Sequence, residues 1–325
     1  MQATGFGHLP AGFSEDWLQG NYGRTRYWHS APRPHTRPPV VLIHGYSALI
    51  EFWGAVLPDL AAEHPIYALD LYGFGQSDRL NLPPSKHLWA AQVATFIERV
   101  IGESAIVVGH SLGGTVAAQL AASYPHLVRA VALVGSTGIA HIGHLYRVYQ
   151  RLFYLGVKTP LVGEVVSLAF GAHITTVQFL RAVYYRRERI RPELVAIFKP
   201  TLQRPSDFLF RLGILRRFNA YSLDLRPGDV SVPVLILWGD HDPAFPLQLA
   251  YAFQFRYFPH AEVRLIPESG HCPFDETPEA FCAALLPWLA AQSAQSAPPA
   301  SPAPSAHPAP VPPTDVAVAT LSLLP

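Results

Sequence analysis

Residues 105–122 read Ala105-Ile106-Val107-Val108-Gly109-His110-Ser111-Leu112-Gly113-Gly114-Thr115-Val116-Ala117-Ala118-Gln119-Leu120-Ala121-Ala122. The first four residues are apolar, three of them β-branched, and suit a buried strand. The last nine form a helix-compatible stretch. Between them, G-x-S-x-G sets a serine at the tip of a strand-to-helix turn, the context that an exposed nucleophilic serine requires. A side chain at so tight a turn has a strained backbone and crowded neighbours. Gly109 and Gly113 relieve that crowding. The N-terminus of the following helix aims unpaired N–H groups at the turn and favours developing negative charge. Ser111 is therefore the candidate nucleophile; the plainer alternative is an ordinary glycine-rich turn.

Outward from this stretch the pattern alternates short apolar strands with longer helices. Strands are expected at residues 39–44, 66–71, 105–109, 130–135, 234–238 and 262–266, with an earlier one near 25–29. Helices are expected near 51–63, 85–102, 112–124, 246–257 and 277–290. Strands apolar on both faces with helices between them imply an α/β fold, a mostly parallel sheet covered on both sides. Residues 139–226 carry 14 Lys and Arg against 5 Asp and Glu, while the remainder carries 10 against 18. That shift suggests an inserted helical cap, with one helix around 176–189. The expected organisation is an N-terminal segment at 1–38, a core at 39–138 and 227–290, the cap at 139–226 and a tail at 291–325. The tail holds 9 Pro, 9 Ala and a single charge, Asp315, and is read as disordered.

The 325 residues are half apolar and 14% charged, with a net charge of +1. Such an average argues for neither a nucleic-acid nor an acidic partner, and no nucleic-acid partner is expected. Cys272 and Cys282 are poorly spaced for a bridge and are read as reduced thiols. No secretory leader and no apolar run of about 18 residues is seen, so a cytoplasmic protein is expected.

A serine hydroxyl needs a base, and the base needs an orienting acid. In the order serine, acid, histidine, the partners follow two later strands: Gly239-Asp240-His241-Asp242-Pro243 and Glu268-Ser269-Gly270-His271-Cys272. Loops at the carboxyl ends of parallel strands converge on one side of a sheet. His271, at a strand exit, is the candidate base. Asp240 and Asp242 compete as the acid; Asp242 lies further into the loop, before Pro243, and is preferred. The expected oxyanion donors are the backbone N–H groups of Leu112 and of Tyr46 in the turn His44-Gly45-Tyr46-Ser47. The Tyr46 phenol is a further candidate for the pocket wall. His110 is expected to turn away into packing, His44 to hydrogen-bond locally, and Cys272 to be a small buried residue. The loop from Asp70 to Asp78 reads as a tight structural turn, since its glycine spacing does not fit a phosphate loop.

Together these motifs resemble the α/β-hydrolase fold family, from about Pro38 to Ala290. His44-Gly45, the stretch Ala68–Asp78, Gly109–Gly114, Gly239–Asp242 and Gly270-His271 match in order. His271-Cys272-Pro273 with Asp275-Glu276 resembles the plant and cyanobacterial branch that includes pheophytinase-like esterases. The resemblance implies a helical cap over a serine triad, with no metal and no organic cofactor. Ser47 stands where the family often has glycine. Serine rather than aspartate at 111 argues against the haloalkane dehalogenase and epoxide hydrolase branches.

The expected activity is a serine hydrolase cleaving a carboxylic ester of an apolar small molecule. Amidase, lactonase, acyltransferase and cofactor-free perhydrolase chemistry are alternatives on the same residues, as is a ligand receptor with this fold. Cap aromatics, among them Tyr146, Tyr149, Phe153, Tyr154, Phe170, Phe179, Tyr184 and Tyr185, are candidate pocket walls. Cap arginines, including Arg186, Arg187, Arg189, Arg191, Arg216 and Arg217, are read as a solvated face or as a dock for an acidic partner or anionic membrane surface.

Overall fold

In the computed structural model, which describes residues 8–31, 37–139, 155–156, 158–169, 173–203 and 205–293, eight strands pair into one sheet. They are β1 (Phe13–Gln19), β2 (Arg24–Ser30), β3 (Val40–Ile43), β4 (Ile66–Leu69), β5 (Ala105–His110), β6 (Val128–Val134), β7 (Val234–Gly239) and β8 (Glu262–Ile266). Their order is β1-β2-β4-β3-β5-β6-β7-β8. The pairs from β4 to β8 are parallel, and β1 and β2 join antiparallel. Every strand expected from sequence is present. β1 was not expected, because Phe13-Ser-Glu-Asp-Trp-Leu-Gln19 buries only Phe13 and faces water like other edge strands. Residues 13–30 of the N-terminal segment thus add a hairpin to the sheet.

The helices before the insertion are α1 (Leu57–Glu63), α2 (Lys86–Phe96) and α3 (Leu112–Ser123). Between β6 and β7 the described residues form α4 (Val162–Ala169), α5 (His173–Val183), α6 (Pro192–Gln203) and α7 (Pro205–Arg216), with no strand among them. After β7 come α8 (Gln248–Arg256), α9 (Pro273–Glu276) and α10 (Pro278–Ser293). The helix expected over 176–189 ends at Val183, because the residues that follow bond to another part of the chain, as described below. The last helix continues to Ser293, past the expected end at 290; the rest of the tail lies outside the described residues.

Successive strand residues point to opposite faces, which explains the two apolar clusters. Val41, Ile43, Val107, Val131 and Ile236 pack with Trp89, Val116, Leu120 and Phe253 of α2, α3 and α8. Val40, Leu42, Ile106, Val108 and Leu235 pack on the other face with Leu57, Leu60, Phe281 and Leu285 of α1 and α10. Strands covered on both sides must be apolar along their buried length, as β3 and Ala105–Val108 of β5 are.

One ion cluster ties the hairpin to this core. The Arg26 side chain on β2 is only 3% exposed, and Nη2 reaches Glu15 at 2.6 Å and Glu51 at 2.9 Å. Its Nη1 lies 3.3 Å from Asp70. The Asp70 carboxylate also accepts the N–H groups of Ile50 at 2.9 Å and Gln76 at 2.8 Å. The loop 70–78 wraps so closely on this carboxylate that a Cβ on Gly75 would lie 2.1 Å from Asp70 Cγ. It is a structural turn. Arg26→Ala would leave two buried carboxylates without their cation. It is expected to lower the unfolding free energy by about 3–5 kcal/mol, read as a shifted urea midpoint.

Candidate active site

The turn after β5 closes by direct backbone contact. A Cβ on Gly109 would sit 2.2 Å from the Gly113 carbonyl oxygen, and one on Gly113 would sit 2.3 Å from the Ile43 oxygen. Ser111, between them, is forced to φ 53° and ψ −116°, a conformation that costs a non-glycine residue of order 1–3 kcal/mol. The surroundings hold it there: its N–H donates to Val134 O at 2.9 Å, and its carbonyl accepts from Gly114 and Thr137, each at 3.0 Å. Leu112 is the first residue of α3, so its N–H has no intrahelical acceptor. Tyr46 lies in the turn after β3. Ser47 beside it takes φ 56°, the left-handed conformation that glycine usually supplies. The Tyr46 hydroxyl donates to Arg211 O on α7 at 3.2 Å, so the phenol is anchored to the insertion.

The loops after β7 and β8 are pressed together as tightly. A Cβ on Gly239 would lie 2.0 Å from the Gly270 oxygen. This brings His271 Nδ1 to 2.8 Å from Asp242 Oδ2, with side chains 6% and 0% exposed. The other oxygen of Asp242 accepts the N–H groups of Ala244 and Phe245, both at 2.8 Å, which fixes the carboxylate. Asp240 instead meets His241 Nδ1 at 2.7 Å and the Ser269 N–H at 3.3 Å. Of the two competing acids, Asp242 is the one joined to His271. Nδ1 of a neutral His271 then carries the proton, and Nε2 is left as the basic nitrogen.

His110 behaves differently from expectation. Its ring does pack in the turn, 4.9 Å from Phe274, but it also lies 4.8 Å from the His271 ring. Its Nε2 donates to the His271 carbonyl at 2.9 Å. Burial, with His271 nearby, pushes its pKa well below the usual histidine value, so it is neutral. His44 bonds locally, as expected: Nδ1 donates to Gly45 O and Nε2 accepts from Leu71 N–H. Burial drives its pKa down to about 4.

Ser111 and His271 line one cavity of about 630 Å³, its open mouth included. Core residues Tyr46, Ala48, Phe52, Thr137, Ala244, Phe245 and Cys272 form part of the wall. Phe179, Leu180 and Val183 of α5 and Phe198 of α6 form the rest. Among the described residues no Lys, Arg, Asp or Glu lines the cavity. Of the expected aromatics, Phe179 is in the wall. Tyr184 is buried and donates to Asp275, and Tyr185 stacks on His241 with centroids 4.2 Å apart. Tyr146, Tyr149, Phe153, Tyr154 and Phe170 lie outside the described residues. Phe52, Phe198 and Phe245 were missed. Phe52 and Phe198 sit among residues of ordinary apolar packing and Phe245 in the loop after Asp242, with no local pattern separating wall from core.

Several arginines of the insertion have carboxylate or carbonyl partners. Arg191 pairs with Asp275 at 3.1 Å, and Arg189 Nε donates to Asp275 O at 2.9 Å. Arg216 pairs with Glu164 at 3.0 Å and Arg186 with Glu188 at 3.1 Å. Among the described residues no helix is long and apolar enough to cross a membrane.

Comparison with known proteins agrees with this architecture. A model of the alpha/beta hydrolase family matches residues 40–284. A pimeloyl-[acyl-carrier protein] methyl ester esterase of Vibrio atlanticus is 25% identical over 272 residues, covering 81% of this chain and 97% of that protein. An uncharacterized protein of Mycobacterium tuberculosis is 27% identical over 256 residues, covering 75% of this chain and 73% of its own length. Among solved structures, a bacterial membrane phospholipase A described as a virulence factor superposes with a TM-score of 0.72 at 22% identity, covering 88% of each chain.

Both cysteines are free and buried. Burial, reinforced by the nearby Glu276, Asp275 and Asp242 charges, pushes the Cys272 thiol well above its usual pKa; burial lifts Cys282 to about 12. The thiolate is the reactive form, so both are almost fully protonated at pH 8. Neither should be alkylated by iodoacetamide in the folded protein at pH 8, and both should be after unfolding in urea, as counted by intact mass.

Proposed function

Since the chain belongs to the alpha/beta hydrolase family, we propose that it is a carboxylic ester hydrolase working through an acyl-enzyme on Ser111. The observation that carries this reading is the buried 2.8 Å contact of His271 with Asp242, in a cavity that His271 shares with a strained Ser111. The named esterases among its relatives support ester cleavage over other acyl chemistry.

In this mechanism Ser111 Oγ attacks the ester carbonyl carbon while His271 Nε2 takes the hydroxyl proton. Asp242 holds the imidazole in the required tautomer and stabilises the imidazolium. The oxyanion of the tetrahedral intermediate accepts the N–H groups of Leu112 and Tyr46. Collapse breaks the bond to the alcohol oxygen, which leaves with the proton from His271. Water then adds to the acyl-enzyme with His271 as base, and the acid is released from a restored Ser111.

The insertion acts as a cap, with Phe179, Leu180, Val183 and Phe198 over the substrate. The described wall has no cationic side chain, which suits an apolar, uncharged ester. An acyl chain ending in a carboxylate would be buried there unpaired. The similarity to pheophytinase-like esterases rests on residues 271–276 alone. Free thiols suit a cytoplasmic setting.

Ser111→Ala should lower turnover of p-nitrophenyl esters by at least about 10³-fold with the circular dichroism spectrum unchanged. Hydrolysis at the wild-type rate would remove Ser111 from the mechanism. Across a chain-length series, neutral acyl groups should exceed carboxylate-ended ones of equal length by at least about tenfold in kcat/KM, since burying an unpaired charge costs more than a single hydrogen bond. Equal rates would show that the acyl chain does not enter this cavity.

A further inference from the structure

The stretch Val183–Arg191, between α5 and α6, meets the stretch Gly270–Glu276 along a dense polar seam. The His271 N–H donates to Val183 O at 3.0 Å. The His271 peptide is therefore gripped at both ends, by the cap at its N–H and by His110 at its carbonyl. The Glu276 carboxylate sits in the same seam, buried. Its Oε2 accepts the N–H groups of Tyr185 at 2.8 Å and Arg186 at 2.9 Å, both on the cap. Its Oε1 accepts the Cys272 N–H at 3.0 Å, one residue beyond His271. A single carboxylate thus binds cap and histidine loop together. The seam has no slack: a Cβ on Gly270 would lie 2.6 Å from Tyr185 N and 2.7 Å from Glu276 Oε1.

The neighbouring Asp275 fastens the same cap segment through side chains. Tyr184 donates to it at 2.8 Å and Arg191 at 3.1 Å. Burial raises the pKa of both carboxyls, and the bonds they accept oppose that rise. A buried carboxylate is costly unless its oxygens are satisfied, so the arrangement favours one geometry of the seam. Glu276 is not among the residues lining the cavity and does not touch substrate in the proposed mechanism.

We propose that Glu276 is a positioning residue that makes the cap part of the support of the general base: by tying the Tyr185 and Arg186 amides to the Cys272 amide, it holds His271 in register with Ser111. The proposal rests on the hydrolase reading above. Displacing a catalytic group by about 1 Å can cost on the order of 10²-fold in rate, so slack in this seam is felt at the base.

Two variants test it, one on each side of the seam. Glu276→Gln keeps one acceptor oxygen and turns the other into a donor that faces N–H groups. Arg186→Pro acts from the cap: it removes one N–H to Glu276 and sets a ring carbon where that proton pointed at the carboxylate, while the φ of −83° at this position needs only a small shift for proline. Its side chain otherwise makes only an exposed pair with Glu188, of little energetic weight. The probe is a fluorophosphonate, which reports both the number of competent sites and the rate at which Ser111 is activated, alongside kcat and KM for a short p-nitrophenyl ester. Both variants should label to one equivalent per chain but more slowly. Expected losses in kcat are at least about tenfold for Glu276→Gln and a few-fold for Arg186→Pro, with KM little changed, because base alignment matters after binding. A merely structural role predicts the reverse, fewer labelled sites with wild-type rate per site, and that result overturns the proposal. Should Glu276→Gln fail to fold, Arg186→Pro decides alone, wild-type rates there refuting it. Wild-type enzyme that is not labelled at Ser111 would instead overturn the hydrolase reading.

Discussion

Backbone touching backbone at three glycines is the constraint from which the rest of this structure follows. Gly109 meets Gly113, Gly113 meets the end of β3, and Gly239 meets the loop after β8, each at a distance no Cβ could occupy. The first contact folds the chain from strand to helix within a few residues and forces Ser111 into a positive φ. The second brings the Tyr46 turn alongside the start of α3. The third draws the Asp242 and His271 loops together. The strained serine, the two candidate oxyanion amides and the hydrogen-bonded His–Asp pair gather at one end of the sheet because the strands approach there without side chains between them.

Charge is distributed by the same economy of space. The basic excess of residues 139–226 looks in sequence like the surface of a separate module. In the fold, part of it meets the core, where Arg189 and Arg191 bind Asp275, while Arg79 of the core binds Asp207 of the insertion at 2.8 Å in the opposite sense. Ion pairs of both senses thus cross the junction of insertion and core. Among the described residues, those of the insertion that face the cavity, Phe179, Leu180, Val183 and Phe198, are apolar, and an apolar wall strengthens the few hydrogen bonds beside it by excluding water.

The core strands were legible because double-sided burial demands continuous apolar runs, a demand local sequence reports faithfully. β1 was not, because an edge strand satisfies water on most of its length, and of Phe13, Trp17 and Leu18 only Phe13 is buried. The helix expected to reach 189 stops at Val183 because Glu276, about 90 residues later, offers the Tyr185 and Arg186 amides a better acceptor than helix continuation. His110 looked like packing because its carbonyl partner at His271 is 161 residues away. In each case the deciding partner is distant in sequence, so no local pattern carries it.

Sequence alone determined the class of fold, the order of the candidate catalytic residues and the tight turn at Ser111, because each depends on residue types whose conformational limits are local: glycine where no Cβ fits, β-branched runs where both faces are buried. Tertiary structure alone decided that Asp242 rather than Asp240 meets His271, which phenylalanines line the cavity and how the insertion is fastened to the histidine loop. Those outcomes depend on contacts of a few ångströms between segments far apart in the chain, and such distances exist only once the sheet has brought the loops together.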